Sequence, residues 1–246
     1  MDLVQLDREG DVFVLTLIAG ENRWNTTLVR QIMRALDEVE ASSGPAALVT
    51  ASADAKFFSN GLDLAWLASK DADHPGGDRK VFAEEAMACF ARVITLPVPT
   101  VCAVNGHAFG AGFMIALCHD LRVMRRDRGF LCANEIELGM AIPEPELALF
   151  RHKLPMPAFH QSVMLAKRWG GLEALDAGVV QHLADGESVR ATAVELAAGL
   201  ARLGANRKAL GWMKEHVYGD DAAINGPHGA ASMLRNMKDY PMGPGH

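Results

Sequence analysis

The stretch that most constrains this chain is TVCAVNGHAFGAGFMIALCHD, from Thr100 to Asp120. Thr100–Val104 is a short apolar run rich in β-branched residues, which predicts a buried strand. Gly106, Gly110 and Gly112 then crowd a tight bend, and Ala111–Leu117 has helix-forming composition without proline. The order is strand, glycine turn, helix N-terminus. Such a junction presents unpaired backbone N–H groups and the positive end of a helix dipole. It suits a phosphate, a carboxylate or an oxyanion that develops during a reaction. Small residues that let a helix pack tightly on a sheet would look the same, so this stretch alone leaves both readings open. The G-x-G-x-x-G spacing of a dinucleotide site is absent, and no Lys-Ser/Thr follows the glycines as a P-loop requires.

A chain of 246 residues, half of them hydrophobic, is long enough for one large domain or a domain with an appendage. The formal net charge of −6 argues against a nucleic-acid or anionic-membrane surface. No apolar run is long enough to span a bilayer, and MDLVQLDREG has no apolar signal core. The terminal YPMGPGH is not a peroxisomal or retention address, so a cytoplasmic protein is expected. Cys89, Cys102, Cys118 and Cys132 lie in apolar stretches without C-x-x-C spacing, which predicts reduced core thiols. The nine histidines show no H-E-x-x-H or clustered spacing, and no metal site is expected.

In chain order, Val4–Leu6 and Val12–Ile18 read as paired strands around Arg8–Asp11. A polar loop, Gly20–Asn25, precedes a helix capped by Thr26 or Thr27, with Leu28, Ile32, Leu36 and Val39 at helical spacing. Ser42–Pro45 ends it, and Ala46–Thr50 is a short buried strand. Lys56–Leu64 (KFFSNGLDL) is a second strand-end glycine turn that opens a helix. Asp71–Asp78 is a polar connection with a Pro-Gly-Gly break. Arg79–Leu96 is an amphipathic helix stopped by Pro97 and Pro99. Leu121–Met124 and Phe130–Ala133 are further strands. Beyond Pro157 helical patterns dominate, over 158–169, 172–177, 189–203, 207–218 and 222–237, with one strand signal at Val179–Leu183. This gives a strand-and-helix core to about Leu154 and a helical region after it.

Acidic residues inside apolar surroundings are the sharpest chemical signal. Glu135 follows a buried strand, where desolvation would raise its pKa toward that of a proton-transfer base. A solvated turn, or pairing with Arg125, Arg126 or Arg128, is the structural alternative. Glu137 and Glu144 carry the same two readings. His107 sits in the glycine bend with no serine or cysteine nucleophile beside it, which favours a packing role. His119 ends a helix, where a histidine near the last carbonyls is favourable. Trp24, Trp66, Trp169 and Trp212 are dispersed and read as structural.

Taken together, FFSNGLDL, PVPTVCAVNGHAFGAGFMIALCHDLRV and NEIELGMAIP resemble the enoyl-CoA hydratase/isomerase (crotonase) superfamily. The resemblance runs from the first hairpin to about Gly178. It implies an α/β fold, a crotonase-like spiral of β-β-α units over 1–178. A helical C-terminal region over 179–246 would serve trimerisation and cover the active site. It also implies an acyl-CoA thioester substrate, with coenzyme A as part of the substrate, no separate cofactor, and a homotrimer or dimer of trimers. The family's oxyanion hole of two backbone N–H groups falls on Leu62 and Ala111. Family hydratases carry a first glutamate in the helix after the glycine turn, but that position is Met114. The N-E-x-x-L-G pattern places an isomerase base on Glu135, and another isomerase branch places one at a position matching Glu144. FFSNGLDL and MRRDRGFL are similar to plant enoyl-CoA isomerases. The expected reaction moves a double bond from position 3 to position 2, with one glutamate as proton shuttle; the alternatives are another reaction of the superfamily, as in a hydratase or thioesterase, or a non-catalytic acyl-CoA-binding protein. The resemblance places substrate contacts at Arg23, Trp24, Ser59, Asn60, Gly61, Asp63, Leu64, Gly110 and Met114. Arg23 and Lys56 are candidate phosphate contacts, although any one such cation reads equally as a solvated surface charge.

Overall fold

The structure, a computed structural model, describes residues 2–69, 78–220 and 228–243. The expected connection Asp71–Asp78 lies outside the described residues except for Asp78. So do the start of the helix expected over 222–237 and the end of YPMGPGH. β1 (Val4–Glu9) and β2 (Val12–Leu17) form the expected antiparallel hairpin. α1 (Thr26–Ala41) buries Leu28, Ile32, Leu36 and Val39. Its cap is Asn25 rather than Thr26 or Thr27: Asn25 Oδ1 accepts the Leu28 N–H at 3.0 Å. Thr26 is already helical, and its hydroxyl donates to the Asp78 carbonyl at 3.1 Å. β3 (Ala47–Ser52), β4 (Phe57–Ser59), α2 (Leu64–Ala68) and α3 (Asp78–Thr95) follow.

β5 (Thr100–Val104), β6 (His107–Phe109) and α4 (Ala111–Cys118) make up the central stretch. The bend read around His107 is therefore two turns separated by a short strand, and His107 belongs to that strand. Its ring packs against Phe57, Phe109 and Phe130, with centroids 5.6, 5.2 and 5.6 Å away. β7 (Leu121–Arg125), β8 (Leu131–Cys132) and α5 (Glu144–Lys153) come next. α5 lies between Ala133 and Pro157, a stretch to which the sequence pattern assigned no element. Pro143 is its N-cap and Pro145 lies in its first turn. N–H groups there have no intrahelical partner, so these prolines start a helix instead of breaking one. The chain continues through α6 (Met156–Leu165), α7 (Gly171–Asp176), β9 (His182–Ala184), α8 (Ser188–Leu200), α9 (Arg207–Tyr218) and α10 (Ala230–Arg235).

One sheet runs β1-β2-β3-β5-β7-β9 and is parallel from β2 onward; a second, β4-β6-β8, is parallel throughout. Three consecutive units each give one strand to the large sheet and the next to the small one, followed by helix. This is the spiral of β-β-α units. β9, past residue 178, completes the large sheet's edge.

Side chains of the large sheet alternate strictly. Leu15, Leu48, Cys102 and Val104 face the core of α1, α3 and α4. Val14, Val49, Val101 and Ala103 face α8 through Val189, Ala193 and Ala197. Burial on both faces is what a parallel sheet covered by helices requires. All four cysteines are buried free thiols. Burial pushes Cys89 up to about 12 and Cys132 up to about 11.

His119 closes α4 and is fully buried. Its Nδ1 lies 2.8 Å from the Ile115 carbonyl and its Nε2 lies 2.8 Å from Thr50 Oγ1. A carbonyl only accepts, so Nδ1 carries the proton and the Thr50 hydroxyl donates to Nε2. The histidine does bond the helix end, as a neutral ring and not as a cation. Burial pushes its pKa down to about 4. In the unfolded chain the ring protonates near 6.5. Between those values the unfolded state binds more protons, so stability falls as pH drops from about 6.5 to about 4, by about 3 kcal/mol. Urea titrations of wild type and His119→Gln across that range should show a flatter acid limb in the variant. An identical limb would contradict this assignment.

Candidate active site

The small sheet organises the site. β4, β6 and β8 are parallel neighbours, so the turns that follow them leave from the same edge. These turns are Asn60–Asp63, Gly110–Ala111 and Asn134–Glu135. The three motifs, far apart in sequence, meet there.

Leu62 forms an isolated parallel bridge with Trp24. Trp24 donates to the Gly61 carbonyl at 2.8 Å and accepts from the Asp63 N–H at 3.0 Å. Successive peptide groups in extended backbone point to opposite sides. The Leu62 N–H therefore points away from Trp24. Ala111 is the first residue of α4, where an N–H has no intrahelical acceptor, and Gly110 offers no side-chain cap. Neither N–H donates to an acceptor among the described residues. All eight residues of α4 are buried, so the positive end of its dipole is little screened by water.

Glycines let the turns approach. A Cβ at Gly112 would lie 2.4 Å from the Ser59 carbonyl oxygen, and one at Gly61 would lie 2.8 Å from that of Phe109. Gly110 has φ +50°, and a Cβ there would stand 3.1 Å from Glu135 Oε1. The Glu135 carboxylate thus sits beside the first turn of α4. Its backbone is fixed by the turn it starts, where its carbonyl accepts from Leu138 at 2.9 Å and Met140 at 3.0 Å.

A cavity of about 200 Å³ is lined by Arg23, Asn60, Gly61, Leu62, Leu64, Gly110, Ala111, Asn134 and Glu135, among others. At its rim Arg23 pairs with Glu21 at 2.8 Å, and Asn60 Nδ2 donates to the same carboxylate at 2.9 Å. The Asn60 hydrogen bond, with Arg23, holds Glu21 below the usual carboxylate range.

Leu62, Leu64, Ala111 and Met140 also border a second cavity of about 400 Å³, so the two adjoin. Its walls include Trp24, Leu67, Phe82, Ala86, Met87 and Phe90, with Arg79 and Glu146. Trp24, expected at the substrate, lies on this deeper wall.

Four expected site residues line neither cavity. Ser59 is fully buried; its Oγ accepts from Trp24 Nε1 at 3.1 Å and donates to the Asn22 carbonyl at 2.7 Å. Asp63 caps α2, accepting the Trp66 N–H at 3.0 Å. Met114 is buried in the core. Glu144 is exposed in the first turn of α5. Glu137 is exposed too and pairs with Arg168 at 3.2 Å. Lys56 lies outside the cavities, its ammonium 4.9 Å from the Phe57 ring centroid.

Glu146 is the acid that the motif reading missed. Two residues on from Glu144, it is turned by about 200° around the helix. It shares the inward face with Leu149 and Phe150, both fully buried. Burial pushes Glu146 up to about 8, and the charge of Glu135 adds to the shift. The spacing of Glu146 to Leu149 and Phe150, three and four residues on, was the available signal.

A model of the enoyl-CoA hydratase/isomerase family matches residues 7–239. The chain is 35% identical over 182 residues to enoyl-CoA delta isomerase 2, peroxisomal, of Arabidopsis thaliana, covering 73% of this chain and 76% of that one. It is 32% identical over 219 residues to enoyl-CoA delta isomerase 3 of the same plant, covering 87% and 91%. An apo enoyl-CoA isomerase from Mtb superimposes with a TM-score of 0.77 at 25% identity, over 96% of this chain and 98% of that one. Turns, glycines, spiral and family model agree, and the chain belongs to the enoyl-CoA hydratase/isomerase, or crotonase, family.

Proposed function

We propose that this protein is an enoyl-CoA isomerase that moves a double bond from position 3 to position 2 of an acyl-CoA. The observation that carries the reading is the meeting of Leu62, Ala111 and Glu135 on one cavity. In this reading the thioester oxygen sits between the Leu62 and Ala111 N–H groups. Glu135 removes a proton from carbon 2, and the negative charge spreads onto the held oxygen. In the simplest cycle the same carboxyl returns the proton at carbon 4. The donors are fixed before charge develops, so no reorganisation opposes the reaction. Coenzyme A enters as part of the substrate, near the polar rim of Arg23, Glu21 and Asn60, and the acyl chain extends into the apolar cavity. The plant relatives' names support isomerisation. So does Met114, a buried thioether where family hydratases carry a water-handling glutamate.

The proposal includes self-association as a trimer or dimer of trimers. Met156, Met164 and Leu165 of α6 and Leu172 of α7 are each more than half exposed, an unusual number of large apolar groups for neighbouring helices. Sedimentation velocity should report a trimer or a multiple of it; a monomer at micromolar concentration would contradict this part.

Glu135→Gln should lose isomerisation of a 3-enoyl-CoA by ~10²-fold or more while still binding acyl-CoA. Full activity would remove Glu135 from the mechanism, and a product heavier by one water would identify a hydratase. Ala111→Pro deletes one donor at a helix position that tolerates proline. Its kcat/KM should fall ~10²- to 10³-fold, with thermal stability near wild type. Unchanged turnover would contradict the oxyanion hole.

A further inference from the structure

The apolar cavity contains an acid that the simplest cycle does not use. Glu146 is the third residue of α5, a position from which a glutamate commonly reaches back to the N-cap N–H. The N-cap here is Pro143, which has no N–H to offer. Among the described residues the Glu146 carboxyl has no hydrogen bond or ion pair, and it faces the cavity. The charged groups around it are Arg79 of α3, on the same cavity wall, and Glu135 of the turn after β8. An acid with no internal partner in an apolar cavity is costly to the fold. Its location is one where an acyl chain, entering past Leu62 and Ala111, would run.

Resting on the isomerase reading, we propose that Glu146 is a second catalytic acid, placed down-chain of Glu135, which delivers the proton to carbon 4. The Glu135 carboxylate takes the proton from carbon 2. The C–H pair becomes the C1–C2 double bond, and the carbonyl π electrons move to the oxygen held by Leu62 and Ala111. The protonated Glu146 then gives its proton to carbon 4. The C3–C4 π pair forms the new C–H bond, the C1–C2 pair shifts to C2–C3, and the carbonyl reforms. Glu135 is left protonated and Glu146 ionised. Loss of the Glu135 proton to water and uptake of one from water by Glu146 reset the pair, with no other reactant consumed.

The environments suit this division. Glu146 is pushed up to about 8, chiefly by burial, so it holds its proton at neutral pH. A buried acid that keeps its proton is suited to the part of general acid. Glu135, two carbons nearer the thioester, serves carbon 2, and Glu146 serves carbon 4.

The test follows two protons separately. A 3-enoyl-CoA incubated in D2O is monitored by NMR for exchange at carbon 2 and for isomerisation. Glu146→Gln should retain exchange at carbon 2 while isomerisation falls ~10²-fold or more. Glu135→Gln should lose both. In ordinary water, wild type given substrate deuterated at carbon 2 should form product whose carbon 4 carries solvent protium. Three results overturn the role of Glu146: wild-type isomerisation in Glu146→Gln, loss of carbon 2 exchange in that variant while it still binds acyl-CoA, or extensive carriage of deuterium from carbon 2 to carbon 4 by wild type. The last needs no variant and decides the matter even if Glu146→Gln does not fold. Absence of any 3-enoyl-CoA isomerisation by wild type would instead defeat the isomerase reading, and the role of Glu146 with it.

Discussion

Everything at the site depends on the parallel pairing of three short strands. β4, β6 and β8 contribute only two or three residues each. Because they run in the same direction, the chain leaves each one at the same edge. A backbone donor, a helix N-terminus and a carboxylate arrive together there without any direct sequence neighbourhood. The large sheet and its helices hold these strands at fixed depth, and glycines at the crossings let the turns touch. A side chain at Gly112 would separate the turn after β4 from the first turn of α4, and with it Leu62 from Ala111.

Polarity is graded along the adjoining cavities. The rim carries Arg23, Glu21 and Asn60, already bonded to one another, while the deeper walls are aromatic and aliphatic. A thioester with a polar carrier and an apolar chain matches that gradient. In such a low-dielectric interior two N–H groups act more strongly on a developing negative charge than they would in water. The same interior keeps a proton on Glu146, so one environment favours both an oxyanion and a neutral acid.

Much of this was legible in the sequence, for identifiable reasons. Gly61, Gly110 and Gly112 mark places where backbone must approach backbone, and the short apolar runs before them mark buried strands. Those local signals marked the two turns, and the family resemblance put Leu62 and Ala111 on them, residues whose side-chain identity the proposed chemistry does not need. Strand pairing was not legible, because parallel partners such as Phe57 and His107 are joined by no hairpin. Asn105-Gly106 looked continuous with the later glycines, which hid β6. The stretch around Pro143 and Pro145 was assigned no element although these prolines begin α5, and Glu146 was overlooked with it. Ser59 and Asp63 sit within the right motif but serve the fold, one receiving the Trp24 indole and the other capping α2.

The central claim is that two backbone N–H groups hold one thioester oxygen. Isotope-edited infrared spectroscopy reads that contact directly, using a saturated acyl-CoA carrying carbon-13 at the carbonyl. On binding, the labelled carbonyl stretch should shift to lower frequency and narrow, as expected of an oxygen polarised by two fixed donors. A bound ligand whose carbonyl keeps its aqueous frequency and width would contradict the account.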